Sequence, residues 1–160
     1  MKSKLLAAAA LGFATLSLAA CGETATEEPA GEVDAMPGVS VENARLILPA
    51  VAGNPGAVYF DIKNESDRGA SVQAVDVAAA KSAAMHEMAE WSGKMEMMPM
   101  DQIMVQPGTT FALEPGKVHI MASDLEEGLA SGGSTEVTLT FLGGDKISFL
   151  AEIRAAGEAR

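Results

Sequence analysis

From Val39 onward the sequence alternates short apolar runs with turn-forming clusters, and this spacing restricts the fold more than any other feature. Val39 to Leu48 stops at Pro49. Asn54-Pro55-Gly56 separates it from Ala57 to Lys63, which ends in Asn64-Glu65-Ser66-Asp67. Ser71 to Ala79 alternates through Val72, Val75 and Val77. Pro107-Gly108 and Pro115-Gly116 bracket Thr109 to Glu114. Thr135 to Phe141 has period two, and Gly143-Gly144-Asp145 turns it into Lys146 to Ile153, a pattern that predicts a β-hairpin. Strands at this spacing predict an all-β sandwich or small barrel with Greek-key connections. Ala78 to Glu90 is the exception. Its Ala, Met and Glu content favours a helix on propensity alone, but a strand around Met85 to Met88 is the preferred reading.

The N-terminus has a different character. Two lysines in Met1 to Lys4 precede an unbroken apolar and small-residue run from Leu5 to Ala20. That is the layout of a secretory leader. Leu18-Ala19-Ala20-Cys21-Gly22 resembles a bacterial lipobox, in which Cys21 becomes the lipidated N-terminus of the mature protein. The run is short for a membrane-spanning helix, and its alanines are weakly hydrophobic. Cys21 is the chain's one cysteine, so a lipidated Cys21 leaves no disulfide and no thiolate ligand. Residues 21–38 are rich in Glu, Ala, Pro and Gly and read as a flexible acidic tether. The expected organisation is a leader at 1–20, a tether at 21–38, a β-domain at 39–154 and a tail at 155–160. It corresponds to a lipid-anchored protein on the periplasmic side of a bacterial membrane, with inner and outer membrane both open.

Eleven Lys and Arg face twenty-two Asp and Glu, a formal net charge of -11. Such a chain cannot neutralise a row of phosphates, which argues against nucleic acid, and it has no basic patch for anionic lipid. Methionine is over-represented: ten Met stand against one Trp and one Tyr, and eight of the ten lie between Met85 and Met121.

The chain has two histidines, His86 and His119, and each has a methionine two residues later, Met88 and Met121. In a strand, residues i and i+2 share a face, so each pair can present an imidazole beside a thioether. Thioether sulfur is a poor ligand for Zn(II), Mg(II) or Ca(II) and a good one for Cu(I). A His/Met set without thiolate therefore points to Cu(I), with Ag(I) as a mimic; Cu(II) stays open. A blue-copper electron-transfer site would need a Cys thiolate.

The spacing His86, ten residues, Met97, twenty-one residues, His119, one residue, Met121 resembles the H-x10-M-x21-H-x-M pattern of the PCu(A)C periplasmic copper chaperones. The flanking text is similar to that family too: His86-Glu87-Met88, the Met-rich Lys94 to Met100, Pro107-Gly108, and Glu114-Pro115-Gly116 before His119. The resemblance covers roughly Val39 to Arg154. It implies a cupredoxin-like Greek-key β-sandwich, His86, Met97, His119 and Met121 as copper ligands, and delivery of Cu(I) to the copper domain of cytochrome c oxidase or to another periplasmic copper chaperone. The choice of Met97 among its neighbours Met95, Met98 and Met100 rests on this resemblance.

Competing readings accompany each of these residues. Met88 shares a strand face with His86 and is an auxiliary ligand candidate. Met85, Met98 and Met104 read as gap-filling core. Trp91 either shields the metal or simply packs, and Glu87, Glu90 and Glu96 either add negative potential or are merely solvated. The alternatives to a chaperone are copper or silver sequestration through the same site, or a metal-free lipoprotein. No nucleophile–base pair, paired-carboxylate motif or three-His copper set is visible, so the expected protein is a non-enzymatic monomer.

Overall fold

A computed structural model describes residues 36–158. The leader at 1–20, Cys21 and the tether as far as residue 35 lie outside the described residues. Ten strands follow in order: β1 Val39–Ile47, β2 Gly56–Asn64, β3 Ala70–Val77, β4 Ala80–Trp91, β5 Lys94–Pro99, β6 Ile103–Val105, β7 Thr109–Ala112, β8 His119–Leu125, β9 Ser134–Phe141 and β10 Lys146–Arg154. No helix occurs among the described residues.

The strands form one hydrogen-bonded path, β5-β4-β8-β2-β1-β10-β9-β3-β6, with β7 added on β2. The chain crosses repeatedly between the two ends of this path, from β2 to β3, back to β4 and β5, then to β6 and back to β7 and β8. Because β3 also meets β4, and β6 meets β2 and β7, the two halves face each other around one core. β1 joins the halves, antiparallel to β2 and parallel to β10.

That core comes from one face of each strand. Val58, Phe60 and Ile62 of β2, Ile120 and Ala122 of β8, Val137, Leu139 and Phe141 of β9 and Ala151 and Ile153 of β10 are all buried. Their alternation is the period-two signal read from sequence. Complete burial of side chains such as Phe60, Ile62 and Ile120 contributes about 1.5–3 kcal/mol each. Met36, read as tether, is also buried against this core, so packing begins just before β1.

β4 answers the ambiguity at Ala78 to Glu90. It is a strand of 12 residues, paired on one side with β8 and on the other with β5. Two ladders of backbone hydrogen bonds outweigh a propensity preference that amounts to a few tenths of a kcal/mol per residue. The β4–β5 hairpin turns at Ser92 and Gly93, both with positive φ (52° and 79°), the backbone of a type I′ turn. Met85 is core, as expected, and Met98 is partly buried. Met104 departs from expectation: it points outward from β6 and is 44% exposed, between the buried Ile103 and Val105.

Candidate metal centre

Register brings the two histidines together. In the antiparallel β4–β8 pair, His86 stands directly opposite His119, and Ala84 opposite Met121. In the β4–β5 pair, Met88 stands opposite Met97. Directly opposed residues share a sheet face, as do residues two apart. His86, Met88, Met97, His119 and Met121 therefore lie on one face of β5-β4-β8, opposite the face on which Met85, Ile120 and Ala122 enter the core. The two imidazole rings are 6.1 Å apart between centroids, at 68°.

The two histidines are held differently. His119 is only 6% exposed, and its Nδ1 lies 3.0 Å from the Lys117 carbonyl. With Nδ1–H donating there, the tautomer is set and the Nε2 lone pair remains available, the usual arrangement behind a metal-ligating histidine. The turn before β8 presents that carbonyl. Lys117 N–H donates to Glu114 O at 3.0 Å and Glu114 N–H to Val118 O at 3.0 Å. Pro115 fits the second turn position, and Gly116 supplies the positive φ of 79° required at the third. The Lys117 carbonyl also accepts from Met88 N–H at 3.3 Å, tying the turn to β4.

His86 is partly exposed, yet its Nδ1 is buried without a hydrogen-bond partner. Burial, and secondarily the charge His119 would carry, lower the His86 pKa from its ordinary value of 6.5, which keeps the ring neutral and its nitrogen lone pair free at neutral pH. Buried polar atoms normally have partners, so an orphaned imidazole nitrogen beside another imidazole and two thioethers fits a soft metal ion. Among the described residues, no three His, Cys, Asp or Glu side chains gather as a hard-metal site would need.

Met121, on the interior strand β8, is partly buried, while Met97, on the edge strand β5, is 48% exposed. The face thus closes at β8 and opens at β5. Of the three glutamates weighed above, Glu90 lies on this face, opposite Met95. Glu87 and Glu96 lie on the reverse, opposite Met98 and Ala89. Trp91 is also on the reverse, opposite Lys94 at the hairpin end and 60% exposed, so it does not shield the site.

Besides the Lys117 carbonyl, two side chains and a bulge escaped the sequence reading. Tyr59 packs its ring against His119, with centroids 6.3 Å apart. Arg45 lies 5.2 Å over the Tyr59 ring. Burial raises the Tyr59 pKa, partly offset by Arg45, so its hydroxyl stays protonated. A β-bulge between Glu42 and Arg45, with Asn43 at a positive φ of 56°, shifts the β1–β2 register just before Arg45 meets Tyr59. Tyr59, the one tyrosine on an alternating strand, was a visible signal; the Lys117 carbonyl, a backbone group, was not.

The family described as "Putative lipoprotein LpqE-like" matches residues 39–153. "Putative lipoprotein Lxx21020" of Leifsonia xyli subsp. xyli is 29% identical over 146 residues, covering 89% of this chain and 85% of that protein. Among solved structures, the copper-bound PCuAC domain from PmoF2 superposes with a TM-score of 0.63 at 21% identity, over 76% of this chain and 96% of that one. The Cu(I) form of DR1885 from Deinococcus radiodurans gives 0.58 at 22% identity, over 79% and 84%. The expected cupredoxin-like all-β fold is therefore the observed one. Since the family match spans nearly the whole strand-bearing region, this chain is a member of the LpqE-like family.

Proposed function

We propose that this protein is a lipid-anchored copper chaperone that carries one Cu(I) ion on His86, Met97, His119 and Met121 and delivers it to the copper centre of a respiratory oxidase. The observation that carries the reading is the direct opposition of His86 and His119 across β4 and β8, with thioethers on the same face. Copper here is cargo. Two imidazoles and two thioethers match the softness of Cu(I), and the orphaned His86 Nδ1 supplies a donor that burial would otherwise penalise. The likeness to copper-bound PCuAC domains supports copper as the ion. The leader pattern ending at Cys21, together with a relative named as a lipoprotein, supports an anchor on the periplasmic side of the membrane.

The asymmetry of the site favours handover over storage. His119 is held rigidly by a backbone carbonyl, whereas Met97 is on an exposed edge. An acceptor's ligand can replace an exposed thioether before the buried donors release the ion. Anaerobic Cu(I) titration against a competing chelator is expected to give one tight equivalent, abolished by His119→Ala combined with Met121→Ala. Unchanged affinity in that double variant would refute the site. Metallation of an isolated oxidase copper domain by the loaded protein tests delivery. No transfer, combined with raised copper sensitivity of a deletion strain, would move the reading to sequestration.

A further inference from the structure

The proposed four-ligand centre leaves part of the metal face unused. On the β4–β5 hairpin, Met88 opposes Met97 and Glu90 opposes Met95, so Met88, Met95 and Met97 occupy the same side of the ribbon. Met95 and Met97 are 58% and 48% exposed. Methionine in a β-protein ordinarily fills core gaps, as Met85 does here. Met95 and Met97 fill none. They are successive same-face residues of an edge strand, where exposed apolar side chains invite unwanted pairing.

Their arrangement has a definite chemistry. Cross-strand partners have Cβ atoms about 5 Å apart, and same-face neighbours along a strand are separated by roughly 6.5–7 Å. Met97 is at the corner of that triangle, with Met88 across from it and Met95 along from it. Each methionine side chain is unbranched and flexible, with two rotatable bonds that place its sulfur, so the three sulfurs can converge on one ion. A set made only of thioethers selects Cu(I) or Ag(I) over harder cations. The Glu90 carboxylate opposite Met95 adds negative potential on the approach side.

We propose that Met88, Met95 and Met97 form an outer all-thioether site for Cu(I) or Ag(I), contiguous with the histidine centre through Met97. The choice of a soft ion rests on the copper reading above, but the outer site is defined by its own residues and can be tested apart from it. Without imidazole it binds more weakly than the inner centre. It receives or releases the ion at the hairpin, and exchange of Met97 between the two sets moves the ion along the face. No electron or proton changes hands in this step, because a thioether has no proton to lose.

The test uses the full chain carrying Cys21→Ser, so that no thiol competes, labelled with 13C-methyl methionine and titrated with Ag(I). In the first equivalent, the Met97 and Met121 methyl signals should shift. In the second, those of Met88 and Met95 should follow and that of Met97 should shift again as it passes to the outer ion, leaving His86, His119 and Met121 on the inner one. Met95→Leu should weaken the second step at least tenfold and leave the first within twofold. In a His86→Ala/His119→Ala variant the Met88 and Met95 shifts should persist, which separates this site from the inner one. If those two signals stay still through two equivalents, or if Met95→Leu leaves the second step unaltered, the outer site does not exist.

Discussion

β8 and β5 flank the same strand and contribute to the same face of the sheet, that of the proposed metal site, yet they are built in opposite ways. β8 lies inside the sheet between β4 and β2. Its inward residues Ile120 and Ala122 are fully buried, and its outward His119 is walled by Tyr59 and hydrogen-bonded to Lys117. β5 is the terminal strand, and of its six residues only Met98 is even partly buried. A binding face with one rigid wall and one loose wall can hold an ion and still release it. Rigid donors lose little freedom on binding, while a mobile donor on an exposed edge exchanges readily.

The sharpest contrast should be in stability. Ile120→Ala is expected to lower unfolding free energy by about 2–5 kcal/mol, because it leaves a cavity in a closed core. Met95→Ala should stay within about 0.5 kcal/mol, as surface substitutions do. Denaturant melts of both variants measure the difference, and a comparable loss from Met95→Ala would show that β5 is as tightly held as β8.

Copper affinity should follow the same order. His119→Ala is expected to weaken Cu(I) binding on the order of 100-fold or more, beyond the 10- to 100-fold range of losses from removing a ligand's supporting partner. Met97→Leu should cost roughly tenfold, about 1.4 kcal/mol, and speed release. Chelator competition and stopped-flow transfer report the two quantities. Slower release from Met97→Leu would contradict the assignment of β5 as the exit side.

The pH dependence probes β4 between these walls. His86 has a folded pKa below its ordinary 6.5. As pH falls through that ordinary value, the unfolded chain takes up the proton before the folded one does. Protons bound by the unfolded state exceed those of the native state, so stability rises with pH across this window. The apo protein should therefore lose stability from pH 6.5 down to the lowered value, and His86→Gln should flatten that part of the profile. Thermal melts of both proteins across pH 5 to 8 decide; a parallel decline in the variant would assign it to other groups. At the proposed site copper would compete with the same proton, so His86 should stay ready for metal to lower pH than an unperturbed imidazole would.

The smallest effect on Cu(I) affinity is expected from Tyr59→Phe. Tyr59→Phe keeps the ring against His119 and should change Cu(I) affinity less than threefold. Tyr59→Ala opens the wall and should cost roughly tenfold, in line with the lower range for residues that orient a ligand. Equal effects of the two would show that the hydroxyl, not the ring, matters.

Most strands were legible because their alternation was strong and their turns carried Pro, Gly or Asn. β4 was legible as a strand only around Met85 to Met88, since Ala, Met and Glu carry helix propensity and β8, one of its two partners, lies far away in sequence. β6 was missed because three residues are too few to show a period, and Met104 was misassigned to the core with it. The family-like spacing of His86, Met97, His119 and Met121 marked them as a set, and the i, i+2 spacing put His119 beside Met121 on one strand face, but spacing does not say that β5, β4 and β8 turn the same face together. Sequence alone determined the chemistry available: two imidazoles, a concentration of thioethers and no thiol beyond Cys21, hence a preference for a soft ion. Tertiary structure alone decided that His86 and His119 would oppose each other, that Lys117 would orient one of them, and that Met97 would stand at an open edge. Donor type is a property of each residue, whereas register, burial and exposure arise only when β5, β4 and β8 pair.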